Sequence, residues 1–149
     1  MHAAVSEISK RLMWAVAILS ICGLAVSAVS LQRHYATSKS EFCDIGETFN
    51  CDIVNRSEYS SILGIPVALI GILGYAALTG LATVYRARAE TSVWLFGASG
   101  VGLIFALYLT YVEGHILGVW CILCLISLAL IAATTSLSGL IWWRRDGSR

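Results

Sequence analysis

Four long apolar stretches alternate with short polar ones along this chain. Leu12 to Leu31, Ile62 to Tyr85, Ser92 to Val112 and Val119 to Trp143 contain no Lys, Arg, Asp or Glu. Each reaches the roughly 20 residues that a helix needs to cross a hydrocarbon core of about 30 Å. A barrel would show shorter segments of strict alternation, and lipid cannot satisfy an exposed backbone, so each stretch predicts a helix. The pattern predicts an all-α integral membrane protein: a single domain over residues 1–149, built as a four-transmembrane-helix bundle. An outer loop from Gln32 to Ser61 is the one extended polar segment, and a shorter turn from Glu113 to Gly118 precedes the last helix.

Composition agrees with that solvent. Of the 149 residues 58% are hydrophobic and 13% charged, against about 25% charged in an ordinary soluble domain. A net charge of +1 with no basic stripe gives no footprint for nucleic acid. Lys10, Arg11, Arg86, Arg88, Arg144, Arg145 and Arg149 fall on one side of the predicted topology, and Arg33, Lys39 and Arg56 on the other. The positive-inside rule then puts both termini in the cytoplasm and the 32–61 loop outside, in a bacterial plasma membrane. Trp14, Trp94, Trp120, Trp142 and Trp143 lie near predicted helix ends, as interfacial anchors do. The first apolar run is longer than a signal-peptide core, so it is expected to be retained as a helix.

This topology gathers four of the five cysteines on the outer face, where an oxidising compartment allows disulfides. Cys43 and Cys51 lie in the loop; Cys121 and Cys124 open the fourth helix. Cys22, alone in the first helix, reads as a small packing residue without chemistry. A Cys-x-x-Cys on a helix sets its Cα atoms about 5 Å apart, within disulfide range. The positive end of the helix dipole there favours thiolate. Such a bond closes too small a loop to brace a fold, which favours redox work. Cys43 and Cys51 have seven residues between them. A loop staple worth about 2.5 kcal/mol is one reading. A four-thiolate zinc site is disfavoured, because that spacing is too wide for a metal knuckle. A relay, in which a loop thiol attacks the membrane-end disulfide, fits the shared placement best. Its electrons need a lipid-soluble acceptor, and a quinone takes two.

The series Cys43-Asp-Ile-Gly, Cys51, Ser57, Ser61-Ile-Leu-Gly64 and Cys121-x-x-Cys124 resembles the vitamin K epoxide reductase family over nearly the whole chain. Another family of membrane disulfide oxidases has the tight pair in its first outer loop, the reverse order. The resemblance implies a four-helix bundle around a quinone pocket, capped by the outer loop and a short helix. It implies that Cys43 and Cys51 are shuttle cysteines, that Cys51 links to Cys121, and that Cys124 stands beside the quinone and can form a charge-transfer or covalent adduct. Asp44 and Ser57 match loop positions, for which capping or loop closure is the plainer reading. Ser60 stands where the animal enzymes carry an Asn that hydrogen-bonds a quinone carbonyl, and Leu128 where they carry a Tyr. Many bacterial members carry a fused thioredoxin-like domain; here that partner is expected to be a separate protein of thioredoxin-like or DsbA-like type.

Candidate pocket walls besides Ser60 are Leu63 and Val67, which share a helix face, and Leu117, Trp120 and Leu123 around the tight pair. Bundle packing accounts for each of them equally simply. Pro66 falls early in the second helix, where a missing N–H costs little. Gly71, Gly74, Gly97, Gly100 and Gly102 predict close helix approach. Glu113 and His115 read as solvated turn residues, with proton relay the alternative. The expected function is a membrane thiol–quinone oxidoreductase that takes electrons from a thioredoxin-fold partner and supports disulfide formation. The alternatives are a reductase of vitamin K quinone or its epoxide, and a non-catalytic scaffold with a stapled loop.

Overall fold

The computed structural model describes residues 2–147. Its frame is four apolar helices: α1 (His2–Tyr35), α3 (Val67–Thr83), α4 (Thr91–Tyr111) and α5 (Ile122–Asp146). Between α1 and α3 the chain forms a strand pair, β1 (Asp44–Ile45) with β2 (Phe49–Asn50), and then the short helix α2 (Cys51–Arg56). A 3-10 turn (Glu58–Ser60) and a second pair, β3 (Ser61–Ile62) with β4 (Ile65–Pro66), follow. The helices with their adjoining turns at Ser6–Tyr35, Thr91–Leu117 and Ile122–Asp146 are long and apolar enough to cross a bilayer; α3 is a shorter apolar helix of 17 residues. This is a helical, membrane-embedded fold.

Two helix starts differ from the sequence pattern, each for a local reason. The second apolar stretch begins as a hairpin, not a helix. Leu63 and Gly64 sit in the left-handed region at φ 53° and 81°, and Pro66, which has no N–H to give, stands immediately before α3. The last helix starts at Ile122, three residues late, because Trp120 is drawn into extended pairing with the loop. The first helix runs four residues past the predicted Leu31, and so carries Arg33 and His34 into the structured region.

α1 packs along α3 and α5, and α4 packs chiefly along α5. One buried cluster, with Met13, Val16, Leu78, Leu95 and Ile141, closes the bundle at one end. At that same end the Arg145 guanidinium donates to the carbonyls of Arg86 and Arg88, and Arg86 lies over the Trp14 ring. Of the basic residues grouped by the sequence, Arg86, Arg88 and Arg145 therefore meet at this end, and Arg149 lies outside the described residues. A second buried cluster at the opposite end contains Cys43, Cys51, Val54, Cys121 and Leu123. Outward faces are apolar: Ile18, Leu73 and Ile104 are all exposed, as lipid contact requires. Several hydroxyls on these helices turn back onto their own backbone, as Thr79 does to Tyr75 and Ser99 to Leu95.

Close packing falls on some of the expected glycines. A Cβ at Gly71 would meet the Ser27 side chain at 2.7 Å, and one at Gly102 would meet Ile131 at 3.3 Å, whereas Gly74, Gly97 and Gly100 face open space. The tightest approach is at Gly23, where the Tyr75 ring occupies the place of any side chain. Cys22 is exposed on α1, so it is not the packing residue its apolar surroundings suggested. Gly23→Val should cost about 1–3 kcal/mol by overpacking against Tyr75, while Gly97→Ala should be neutral or slightly stabilising. Thermal unfolding of the two variants in detergent measures the contrast.

Candidate redox site

The site begins with backbone pairing. The Trp120 N–H donates to the Thr48 carbonyl at 2.9 Å, and the Asn50 N–H donates to the Trp120 carbonyl at 3.0 Å. This parallel bridge ties the loop strand β2 to the residue just before Cys121. Asn50 also ends β2 and caps α2: its side-chain oxygen accepts from the Ile53 N–H at 3.0 Å. Cys51 is the first residue of α2 and Cys121 the cap position of α5. One bridge thus brings two helix starts, and the two cysteines, side by side.

The Cys43, Cys51 and Cys121 sulfur atoms lie within 4.8 Å of one another, and all three residues are fully buried. Cys43 and Cys51 are joined in a disulfide across the β1–β2 turn, with Cα atoms 5.5 Å apart; Cys121 and Cys124 carry free thiols. Two sulfurs of the cluster are spent on that bond, so the trio offers no metal its full thiolate set. Asn55 joins the parts, donating to the Cys51 carbonyl at 2.9 Å and to Cys121 Sγ at 3.8 Å. Asp44 accepts from the Asn50 amide at 3.2 Å, and the Ser57 hydroxyl donates to the Val54 carbonyl at 2.8 Å. Asp52 accepts from the Ser40 N–H at 3.0 Å and lies 4.0 Å from Arg33. Arg56 donates to the Ala36 carbonyl. These contacts fasten the loop over the end of the bundle.

Beneath it, between the four long helices, lies a cavity of about 470 Å³. Cys124 is in its wall and Cys121 is not. The tight pair therefore straddles a boundary, with one sulfur in the loop cluster and the other facing the cavity. Ser60, Val67, Leu117 and Leu123 line the cavity, as does Ser57. Leu63 does not: it is 98% exposed at the β3–β4 turn. Trp120 does not either, because its ring lies against Gly114, nor does Leu128. The Ser60 proton is committed to the Ser57 carbonyl at 2.6 Å, so its hydroxyl offers the cavity an acceptor more readily than a donor.

Other polar groups in the wall escaped the sequence pattern. His34 Nδ1 lies 2.5 Å from the Asn55 carbonyl and 3.3 Å from Ser60 Oγ. The Tyr75 hydroxyl donates to Ser127 at 3.0 Å. Glu113 was expected among solvated turn residues, but it is 1% exposed and lines the cavity; His115 is exposed and stacks on Tyr111. The cause is a π-helical turn, Val112–Leu117, closed by Gly118 at φ 66°. No spacing rule announces that wider turn.

The Cys121 thiol is held below the ordinary thiol range, chiefly by a hydrogen bond from the Cys124 thiol, against the opposing effects of burial and of the Glu113 charge. Cys124→Ala removes the donor. In a Cys22→Ser background, titration by ultraviolet thiolate absorbance should then show Cys121 ionising at higher pH, with less thiolate at neutrality. A Cys43→Ser, Cys124→Ser double variant leaves Cys51 and Cys121 as neighbours without their own partners. Mild oxidation should join them, and peptide mapping without reductant should find the Cys51–Cys121 cross-link.

A sulfur cluster joined to a membrane cavity by a Cys-x-x-Cys pair is an arrangement suited to disulfide exchange at a bilayer. The model of the Vitamin K epoxide reductase family matches residues 14–138, from the first helix through most of the last. The chain belongs to the vitamin K epoxide reductase family of membrane redox enzymes.

Proposed function

We propose that this protein is a membrane thiol–quinone oxidoreductase: a four-helix bundle that passes electrons from a thioredoxin-fold partner through Cys43/Cys51 and Cys121/Cys124 to a quinone. The observation that carries this reading is the straddling pair, Cys121 among the loop sulfurs and Cys124 in the cavity wall. Electrons enter on one side of the pair and leave on the other. The cavity volume suits a quinone ring with part of its tail, and its walls are largely apolar with a few polar groups, as small-molecule sites are.

The cycle balances in three exchanges. The two thiols Cys121 and Cys124 reduce the quinone, giving up two electrons and two protons to make a quinol and closing their own disulfide. A partner dithiol then reduces Cys43–Cys51 and leaves as a disulfide. Cys51 thiolate attacks Cys121, releasing Cys124, and Cys43 resolves the mixed bond so that Cys43–Cys51 re-forms. In this cycle the form with the loop disulfide closed and both tight-pair thiols free is the one that reduces quinone. Cys43 is fully buried, so a partner thiolate reaches it only when the β1–β2 turn lifts. Phe42 and Ile45, 60% and 57% exposed beside it, offer the apolar footing for that partner. The positive-inside argument places the sulfur end outside the cytoplasm, with Lys10, Arg11, Arg86 and Arg88 within.

The test is quinone absorbance followed in purified protein given a reduced thioredoxin-like partner. Wild type should turn over, and Cys124→Ser should fall to background while still forming Cys43–Cys51. Unchanged turnover in Cys124→Ser would leave the scaffold reading standing. Turnover confined to the quinone epoxide would reassign the substrate.

A further inference from the structure

An acidic side chain inside a membrane bundle is expensive to keep, because neither lipid nor an apolar cavity solvates its charge. Glu113 is such a group. It is 1% exposed and sits at the junction of the π-turn, the start of α5 and the cavity. One carboxyl oxygen, Oε2, accepts the Cys121 N–H at 3.0 Å, which anchors it at the positive end of α5. The other, Oε1, is buried and has no hydrogen-bond partner. The Cys124 thiol stands close enough to interact with the carboxyl. Neither ion pair among the described residues involves Glu113. A cap for the Cys121 N–H alone would need only a neutral acceptor, so the ionisable group and its idle oxygen ask for a use.

We propose that Glu113 is the proton carrier of the reaction: it takes the proton from Cys124 Sγ as that sulfur attacks the quinone, and passes it to a quinone oxygen. This rests on the quinone reading above. The balance is complete within the named groups. The Cys124 S–H bond breaks, its proton moves to the Glu113 carboxylate, and the sulfur's electron pair goes toward the ring. Closure of Cys121–Cys124 breaks the second S–H bond, and the Cys121 proton leaves through the same carboxyl, which already holds the Cys121 backbone. The quinol gains two electrons and two protons, and Glu113 ends the cycle as it began. The titratable groups that face the carboxyl are the Cys121 and Cys124 thiols of the α5 start. His34 lines the same cavity from α1, and His115 of the same turn points outward onto Tyr111.

Glu113→Gln tests this, since Gln preserves size and still accepts from the Cys121 N–H but cannot carry a proton. With partner and quinone saturating, its quinone reduction should fall by about 100-fold, the range of general acid–base catalysis. A second measurement needs no quinone: the pH dependence of Cys124 alkylation by a small maleimide in a Cys22→Ser, Cys121→Ser background. With Glu113 present the rate should rise in two limbs, the lower following the carboxyl and the upper the thiol. With Gln only the upper limb should remain. Turnover that Gln leaves intact, or an alkylation profile that it does not alter, overturns the proposal. If wild type fails to reduce any quinone, the quinone reading falls, and the alkylation profile still judges Glu113.

Discussion

Two backbone hydrogen bonds, Trp120 N–H to Thr48 and Asn50 N–H to the Trp120 carbonyl, hold the candidate redox site together. They set the register of β2 against the start of α5, because β1 and β2 are only two residues each and cannot locate themselves. With them, three sulfurs from segments some 70 residues apart in the chain fall within 4.8 Å. Asn50 serves both sides of this arrangement, as a strand donor through its backbone and as the cap of α2 through its side chain. The same bridge delays α5 until Ile122, which leaves Cys121 extended and Cys124 one turn inward.

That offset gives the two cysteines of the Cys-x-x-Cys different surroundings. Were both cysteines inside a regular helix, both would face similar surroundings. Here Cys121 belongs to a dry sulfur cluster under the loop, and Cys124 to a cavity wall. Glu113 accepts the Cys121 N–H and lines the cavity with Cys124, so the tight pair, a buried carboxyl and the cavity are contiguous. Burial at this point lowers the local dielectric and strengthens every local charge interaction.

The bilayer imposes the remaining order. Exposed helix faces carry Ile18, Ile104 and Leu73, while several hydroxyls fold back on their own carbonyls. Small residues are needed where a neighbour presses in, as at Gly23 under Tyr75, Gly71 against Ser27 and Gly114 under Trp120. Gly97 and Gly100 sit in the same helical pattern with nothing opposite, so a glycine in an apolar run does not by itself mark a contact.

Hydrophobic length alone determined that this chain is helical and membrane-embedded, since lipid leaves an isolated segment no other way to satisfy its backbone. The cysteine spacing and the basic residues at segment ends placed both pairs at one end of the bundle, and the motif order pointed to the family. What needed the tertiary structure were positions set by partners distant in sequence. Ser61-Ile-Leu-Gly64 is apolar enough to read as helix, but it bends into a hairpin through two residues of positive φ before Pro66. Leu63 and Trp120 left the cavity wall for that reason and for the Thr48–Trp120 pairing, whereas His34 and Asn55 entered through the extension of α1 and the docking of α2. Glu113 shows the division most clearly. Its place between two apolar runs looked like a solvated turn, yet a π-turn and the Cys121 N–H carry it inside, because burial depends on what packs over a residue and not on its neighbours along the chain.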